Sequence, residues 1–443
     1  MSTSAVADSC FREAFEAVQA GSAVPSWWQA YRQNGSDAFL KNGLPAPKDE
    51  AWRFTDITPI RKAVFNLAGE GAAESSKALA DSLAFEGLDP ATVAIVNGCF
   101  QADLSDLSAM PEGVVVSSLV AAVDEHGQLI SDLLGKGMNG FDHAFADLNA
   151  GLASDGIFIF VPKNVLIERP IHLQYLMDID ADNLMANPRA LIVVEDGAQL
   201  TLVESFIGPE GKVYLQNAVH EMFVGENAIV DHYKMQREGH DAFHVGCMDV
   251  TLKQYAQFMS HSVAIGGRIS RTDMQAHLDG QGIVCTMNGL YLGTDRQLID
   301  NHTYIEHIHP NCESHEIFKG ILTDKAHGVF NGKIHVHQEA QKTNALQTNR
   351  AMLLSDRATI NTKPELLIFA DDVKCTHGAT IGELDETALF YLRARGIKRD
   401  EARAMLTCAF GGEAIDDMKL EPVRETVERI MFDRFKTPGQ VDR

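Results

Sequence analysis

Residues 371–382 read DDVKCTHGATIG, and two side chains in this stretch, Cys375 and His377, are soft-metal ligands by type. In an extended strand residues i and i+2 face the same way, so this thiol and imidazole project together. Val373, Ala379 and Ile381 share that face, while Lys374, Thr376 and Thr380 face away. An apolar face admits the plain reading, a buried thiol beside a hydrogen-bonded histidine, since free cysteine is among the most buried residue types. It also admits a metal reading, because a thiolate and a neutral imidazole suit zinc, iron or an iron–sulfur cluster. Two ligands do not close a tetrahedral site. A metal here would take its other ligands from elsewhere in the chain, from thiol or sulfide, or from a second chain.

A denser cluster lies upstream in NHTYIEHIHPNCESHEIFKG, which places His302, His307, His309, Cys312 and His315 within one short segment. It contains H-x-H-x3-E-x6-G as His307, His309, Glu313 and Gly320, the spacing of the first cupin metal motif. In a cupin, strand alternation aims both histidines at one iron or manganese inside a jelly roll. The match is incomplete: Asn301 occupies the leading glycine position, no P-x-G-x2-H follows, and Pro310 interrupts a strand directly after His309. The expectation is therefore surface histidines around a loop, with a cupin-like metalloenzyme using His307, His309 and Glu313 as the alternative. In KIHVH, His335 and His337 share one strand face, where solvent exposure is again expected.

Other chemistry leaves little trace. There is no G-x4-G-K-[ST] nucleotide loop, no G-x-S-x-G elbow, and no nucleophile–base–orienter set at recognisable spacing. The chain reads as a non-enzyme. Trp27, Trp28 and Trp52 all fall in the N-terminal part and read as core anchors. The 443 residues carry a formal charge of −23, from 38 Lys and Arg against 61 Asp and Glu, with no long basic run. That composition disfavours nucleic acid and anionic membrane as partners. Seven scattered cysteines, odd in number and never in C-x-x-C, fit free thiols in a reducing compartment. With no secretory pattern in MSTSAVADSC and no apolar run long enough to span a bilayer, the expected location is the cytoplasm.

Three regions must position these residues. Residues 1–150 read as mostly helical, interrupted by the strand-like ATVAIVNG. From about Gly156 to Gly382 short alternating runs of Val, Ile, Thr and Phe take over, defining a β region over 151–382. Within it AQLTLVES, NAIVDHYK and AQFMSHSV form a weak repeat whose alanines, Ala198, Ala228 and Ala256, are 30 and then 28 residues apart. Units too short to bury their own face suggest stacked rungs of a parallel β-helix, with an antiparallel sandwich as the alternative. Residues 383–443 turn helical again, with Asp385 as N-cap, Gly396 as helix stop, and Val423, Val427, Ile430 and Met431 on one stripe. That stripe packs on the chain's own body or docks another protein.

Several stretches together resemble the SufB/SufD family of iron–sulfur cluster assembly proteins, and within it the SufD branch. They are LPAPKDEAWRFTDI, GIFIFVPKNVLIERPI, FKGILTDKAHGVFNGKIHVHQEAQKTNALQTNRAMLLS, INTKPELLIFADDVKCTHGATIG and LFYLRARGI, spanning about residues 40–410. The resemblance implies a mainly β protein, a right-handed parallel β-helix flanked by helical N- and C-terminal regions. It also implies a non-catalytic scaffold in a cytoplasmic complex with SufB and the ATPase SufC, the C-terminal helical region docking SufC.

Carried onto this sequence, KCTHGAT matches the family segment that supplies a histidine to the SufB–SufD interface, here His377, with Cys375 beside it. The cofactor so implied is a transient cluster or iron shared with SufB and not held tightly by the isolated chain. In SufB-like sequences an acidic residue follows this histidine, whereas here Gly378 follows, so one hard oxygen ligand is missing and this chain holds half a site. Ligation requires a neutral imidazole and weakens as pH falls through the imidazole range. Without SufB, an exposed apolar β-helix face would encourage homodimers.

Overall fold

The structure, a computed structural model, describes residues 3–21, 24–69, 71–108, 110–138 and 143–436. Its centre is a parallel β-helix of two facing sheets. One runs through strands Ile157–Val161, Arg189–Val194, Tyr214–Val224, Phe243–Leu252, Ile269–Leu278, Leu298–His307, His327–Val336 and Thr359–Ile368. The other runs through Ile171–Leu176, Gln199–Ile207, Ile229–Gln236, Gln257–Ala264, Val284–Gly293, Glu313–Leu322, Asn344–Leu353 and Lys374–Gly382. The chain alternates between the sheets, so each strand pairs in parallel with the one two steps later. This excludes the antiparallel sandwich.

The repeat in the sequence is the rung. Ile229 pairs with both Gln199 and Gln257, which puts Ala198, Ala228 and Ala256 at equivalent corners one residue before their strands. All three alanines are fully buried. Before each stands a residue of positive φ, Gly197 at 68°, Asn227 at 55° and Tyr255 at 57°. The left-handed residue turns the chain, and the alanine fills the corner without crowding the layer below. Along each strand alternate residues enter the lumen, where Ile159, Leu173, Ile192, Leu202, Met222, Val250 and Ile305 belong to one continuous apolar core.

The helical regions pack on the outside. Ser118 caps helix Leu119–Leu133 by accepting from the Ala121 amide, and the helix packs with Trp28 against Phe158, Leu191 and Val193 of the first rungs. The Trp28 Nε1 donates to the Ala153 carbonyl at 3.0 Å, so this large ring is both buried and satisfied. Trp52 lies under the Arg271 guanidinium, 3.7 Å from its carbon to the ring centroid, and Arg271 is itself paired with Asp273 and Asp300. The N-terminal part also contains strands beyond the one anticipated. Cys99–Asp106 pairs antiparallel with Ala91–Val96, and Val115–Ser118 antiparallel with Ile157–Val161.

At the other end Asp385 accepts from the Thr387 and Ala388 amides and caps helix Glu386–Ala394. Gly396, at φ 89°, terminates that turn. Val423, Val427 and Met431 of helix Glu421–Lys436 are buried against Tyr233, Met235, Leu290 and Ile321 on the outer face of the second sheet. The stripe packs on the chain's own body.

Candidate functional site

The β-helix ends in a rim. Lys374–Gly382 pairs with Asn344–Leu353 on one side, and Thr359–Ile368 pairs with His327–Val336 on one side; among the described residues no strand pairs with their far edges. Pro364 sits inside Thr359–Ile368. A proline cannot donate to a ladder and is confined to edge strands, so its position marks the last rung locally. Apolar side chains crowd the rim: Ile381 is 52 % exposed, Phe369 61 %, and Leu367 and Ile368 are also exposed.

Cys375 and His377 lie on this last rung, in the lumen register. Cys375 stacks over Ala345, Ser314 and Cys285 of successive rungs and packs beside Ile334, Val336 and Ala370. It is half-buried, and that partial burial raises its thiol pKa. His377 stacks over Gln347, Glu316 and Met287 and is itself exposed. The shared face is the one alternation assigned: at Cys375 it packs against the last buried cluster, and at His377 it is exposed. Both donors are reachable from beyond the rim.

Beneath His377 the column is polar. Gln347 Nε2 donates to Glu316 Oε2 at 2.7 Å, and both residues are fully buried. Burial outweighs these hydrogen bonds and raises the Glu316 pKa to about 7. The rim histidine thus stands above a carboxyl poised to change charge near neutrality.

The upstream histidines do not converge. His307 is buried in the lumen with a ring nitrogen 2.9 Å from Ser314 Oγ, and burial lowers its pKa to about 4. His309 is on the surface, paired with Asp279 at 3.2 Å, and exposed Glu313 pairs with His315 at 3.6 Å. The spacing of a cupin motif is present, while its fold and its meeting point are not. The surface-loop expectation fails at His307 for a structural reason: the strand Leu298–His307 runs to its last residue before the Pro310 turn, and its lumen register carries Ile305 and then His307 inward. His302 is held against Asp300 at 3.0 Å on the outer face. His335 and His337 are only half-buried on that same outer face, beside Glu306.

The chain is thus mainly β, a parallel β-helix whose last rung carries Cys375 and His377. The chain matches the family model described as SUF system FeS cluster assembly, SufBD core domain, over residues 177–410, and the SufBD protein N-terminal region over 4–173. It is 34% identical over 397 residues to an iron–sulfur cluster assembly SufBD family protein of Synechocystis, covering 88% of this chain and 87% of that one. It is 30% identical over 391 residues to the iron–sulfur cluster assembly protein SufD of Escherichia coli, covering 88% of each. It is 31% identical over 405 residues to a chloroplastic protein, ABCI7, of Arabidopsis thaliana, covering 90% of this chain and 84% of that one. The chain belongs to the SufBD family, whose members take part in iron–sulfur cluster assembly. Among the described residues no helix is long and apolar enough to cross a membrane.

Proposed function

We propose that this chain is a non-catalytic scaffold subunit of a cytoplasmic SufBCD complex, and that its rim is where SufB closes over it. The observation that carries the reading is the uncapped last rung. A sheet edge flanked by exposed Leu367, Ile368, Phe369 and Ile381 is a template for another chain, and proteins normally cover such edges. A second β-helix meeting this end would bury the apolar rim and complete the sphere around whatever Cys375 and His377 hold.

In this account the nascent cluster, or its iron, is cargo. Cys375 and His377 supply two soft donors, and SufB the remainder. Metal binding displaces a proton from Cys375, whose thiol is held protonated by partial burial in the free chain. The isolated chain therefore holds its cargo weakly, and docking fixes the geometry and excludes water. The unit over 383–443 provides the docking face for SufC. Helix Glu421–Lys436 is committed to the body, whereas Phe390 is 72 % exposed, and Tyr391 and Met405 are also exposed on the two helices before it.

Co-purification tests this reading. Tagged chain is co-expressed with SufB and SufC, and Leu367→Asp with Ile381→Asp is expected to release SufB while SufC stays bound. Phe390→Ala with Tyr391→Ala is expected to do the reverse. Full recovery of SufB by the doubly charged rim would remove the rim from the interface. Without SufB, the same rim is expected to pair two copies of this chain, an association the charged rim also abolishes.

A further inference from the structure

Away from the rim, three rungs bring together side chains far apart in sequence. Successive in-register partners on the outer face of the first sheet are His277, Glu306 and His335, and His337 follows at the end of the last of these strands. Glu306 Oε1 lies 2.8 Å from His337 Nε2 and 3.7 Å from His335 Nδ1. The donor atoms of Glu306, His335 and His337 all fall within 4.8 Å of one another. Ligands about 2.0–2.2 Å from one ion stand roughly 3–3.5 Å apart in tetrahedral or octahedral arrangements. The observed separations bracket that range.

We propose that Glu306, His335 and His337 form a binding site for a divalent first-row transition metal ion, separate from the cluster rim. Two imidazoles and one carboxylate favour zinc, iron(II) or cobalt(II) over magnesium and calcium, which take oxygen ligands. Three protein donors leave coordination positions free for water. Of the three ligands, Glu306 lines a cleft of about 530 Å³ together with Tyr304 and Lys333, and the two half-buried histidines stand beside Glu306, so an ion and a water have an entry path. The neighbours are placed as metal sites require. Glu306 Oε2 is 2.6 Å from His277 Nδ1, and His277 Nε2 is 2.9 Å from Asp249 Oδ2, a relay that fixes the carboxylate and leaves Oε1 for the ion. Tyr304 Oη stands 2.9 Å from His335 Nδ1, the nitrogen facing Glu306, so an ion would take the place of this hydrogen bond and free the hydroxyl for a metal-bound water.

The buried trio His143, Cys247 and Asp273 is the contrasting case. Asp273 already accepts two hydrogen bonds from Arg271, so its carboxylate serves a cation that cannot leave. Glu306 has ring partners only, His277 on Oε2 and His335 and His337 on Oε1, and among the described residues no Lys or Arg forms an ion pair with it.

The test is a cobalt(II) titration of chelator-treated full-length chain carrying Cys375→Ser and His377→Ala, which removes the rim donors. One equivalent with visible d–d absorption is expected. His337→Ala and Glu306→Gln, added separately, are each expected to weaken that equivalent at least tenfold, and His277→Asn by roughly tenfold through the lost relay. Far-UV circular dichroism on each variant checks the fold; His337 is partly exposed, so that variant is expected to fold as the parent does. Cobalt binding of equal stoichiometry and affinity in the parent, His337→Ala and Glu306→Gln chains would overturn the site, as would a parent that binds no cobalt.

Discussion

The two ends of the β-helix are built oppositely. At the first end the sheets do not stop at a bare edge: Cys99–Asp106 and Val115–Ser118 close them antiparallel, and Phe100, Leu107, Met110 and Val114 pack against the lumen core. At the last end the strands stop with the lumen register still running, and among the described residues no strand layer follows Cys375, His377, Ala379 and Ile381. A stacked repeat needs a polar cap where it meets water. One end is capped within the chain, and the other presents apolar side chains beside a half-buried thiol and an exposed imidazole. In the proposed function the first end carries stability and the second assembly.

Substitutions can break that assignment. The largest effect is expected at the sealed end, where Trp28→Ala removes a fully buried ring and its hydrogen bond to Ala153. Denaturant unfolding should show a loss of about 3–5 kcal/mol. If the loss is below 1 kcal/mol, as for a surface site, the sealed end is not what holds the fold.

The next effect lies just inside the open end and depends on pH. The Glu316 pKa is raised to about 7 by burial, so the folded chain keeps its proton more tightly than the unfolded chain does. Its contribution is fully present below the ordinary glutamate range and is lost as pH rises through about 7. Glu316→Gln should therefore be close to neutral near pH 4, and should stabilise the chain near pH 8 by an amount on the order of 3 kcal/mol. Thermal melts at both pH values check this; an equal effect at the two would mean that the carboxyl titrates normally and that water reaches it.

The smallest stability effect belongs to the rim. Leu367→Asp should change unfolding of the isolated chain by no more than about 0.5 kcal/mol, as expected for an exposed position. A large destabilisation would show that the rim is part of the chain's own core, which would erase the contrast between the ends.

Much of this is legible in the sequence. The 30- and 28-residue spacing of Ala198, Ala228 and Ala256 is the rung, because a corner tolerates only a small side chain and must recur once per turn. The cap at Asp385 and the stripe from Val423 to Met431 follow from local chemistry and helical period. His307 was misread because the proline after it suggested a loop, whereas strand parity with Ile305 already pointed it inward. The meeting of Glu306 with His335 and His337 was missed because it is made by register between rungs. Stepping from His277 by the rung length leads to Glu306 and then to His335, so the signal was present in the repeat and needed only to be applied to the polar residues.

The contrast between the ends leads to one decisive measurement. The complex with SufB and SufC is purified anaerobically with wild-type chain and with His377→Ala, and its iron and acid-labile sulfide are counted. The expected result is an intact complex in both cases, with iron and sulfide present in the first and lost in the second. A His377→Ala complex that keeps its full complement of both would contradict the claim that this rim supplies ligands to the cluster.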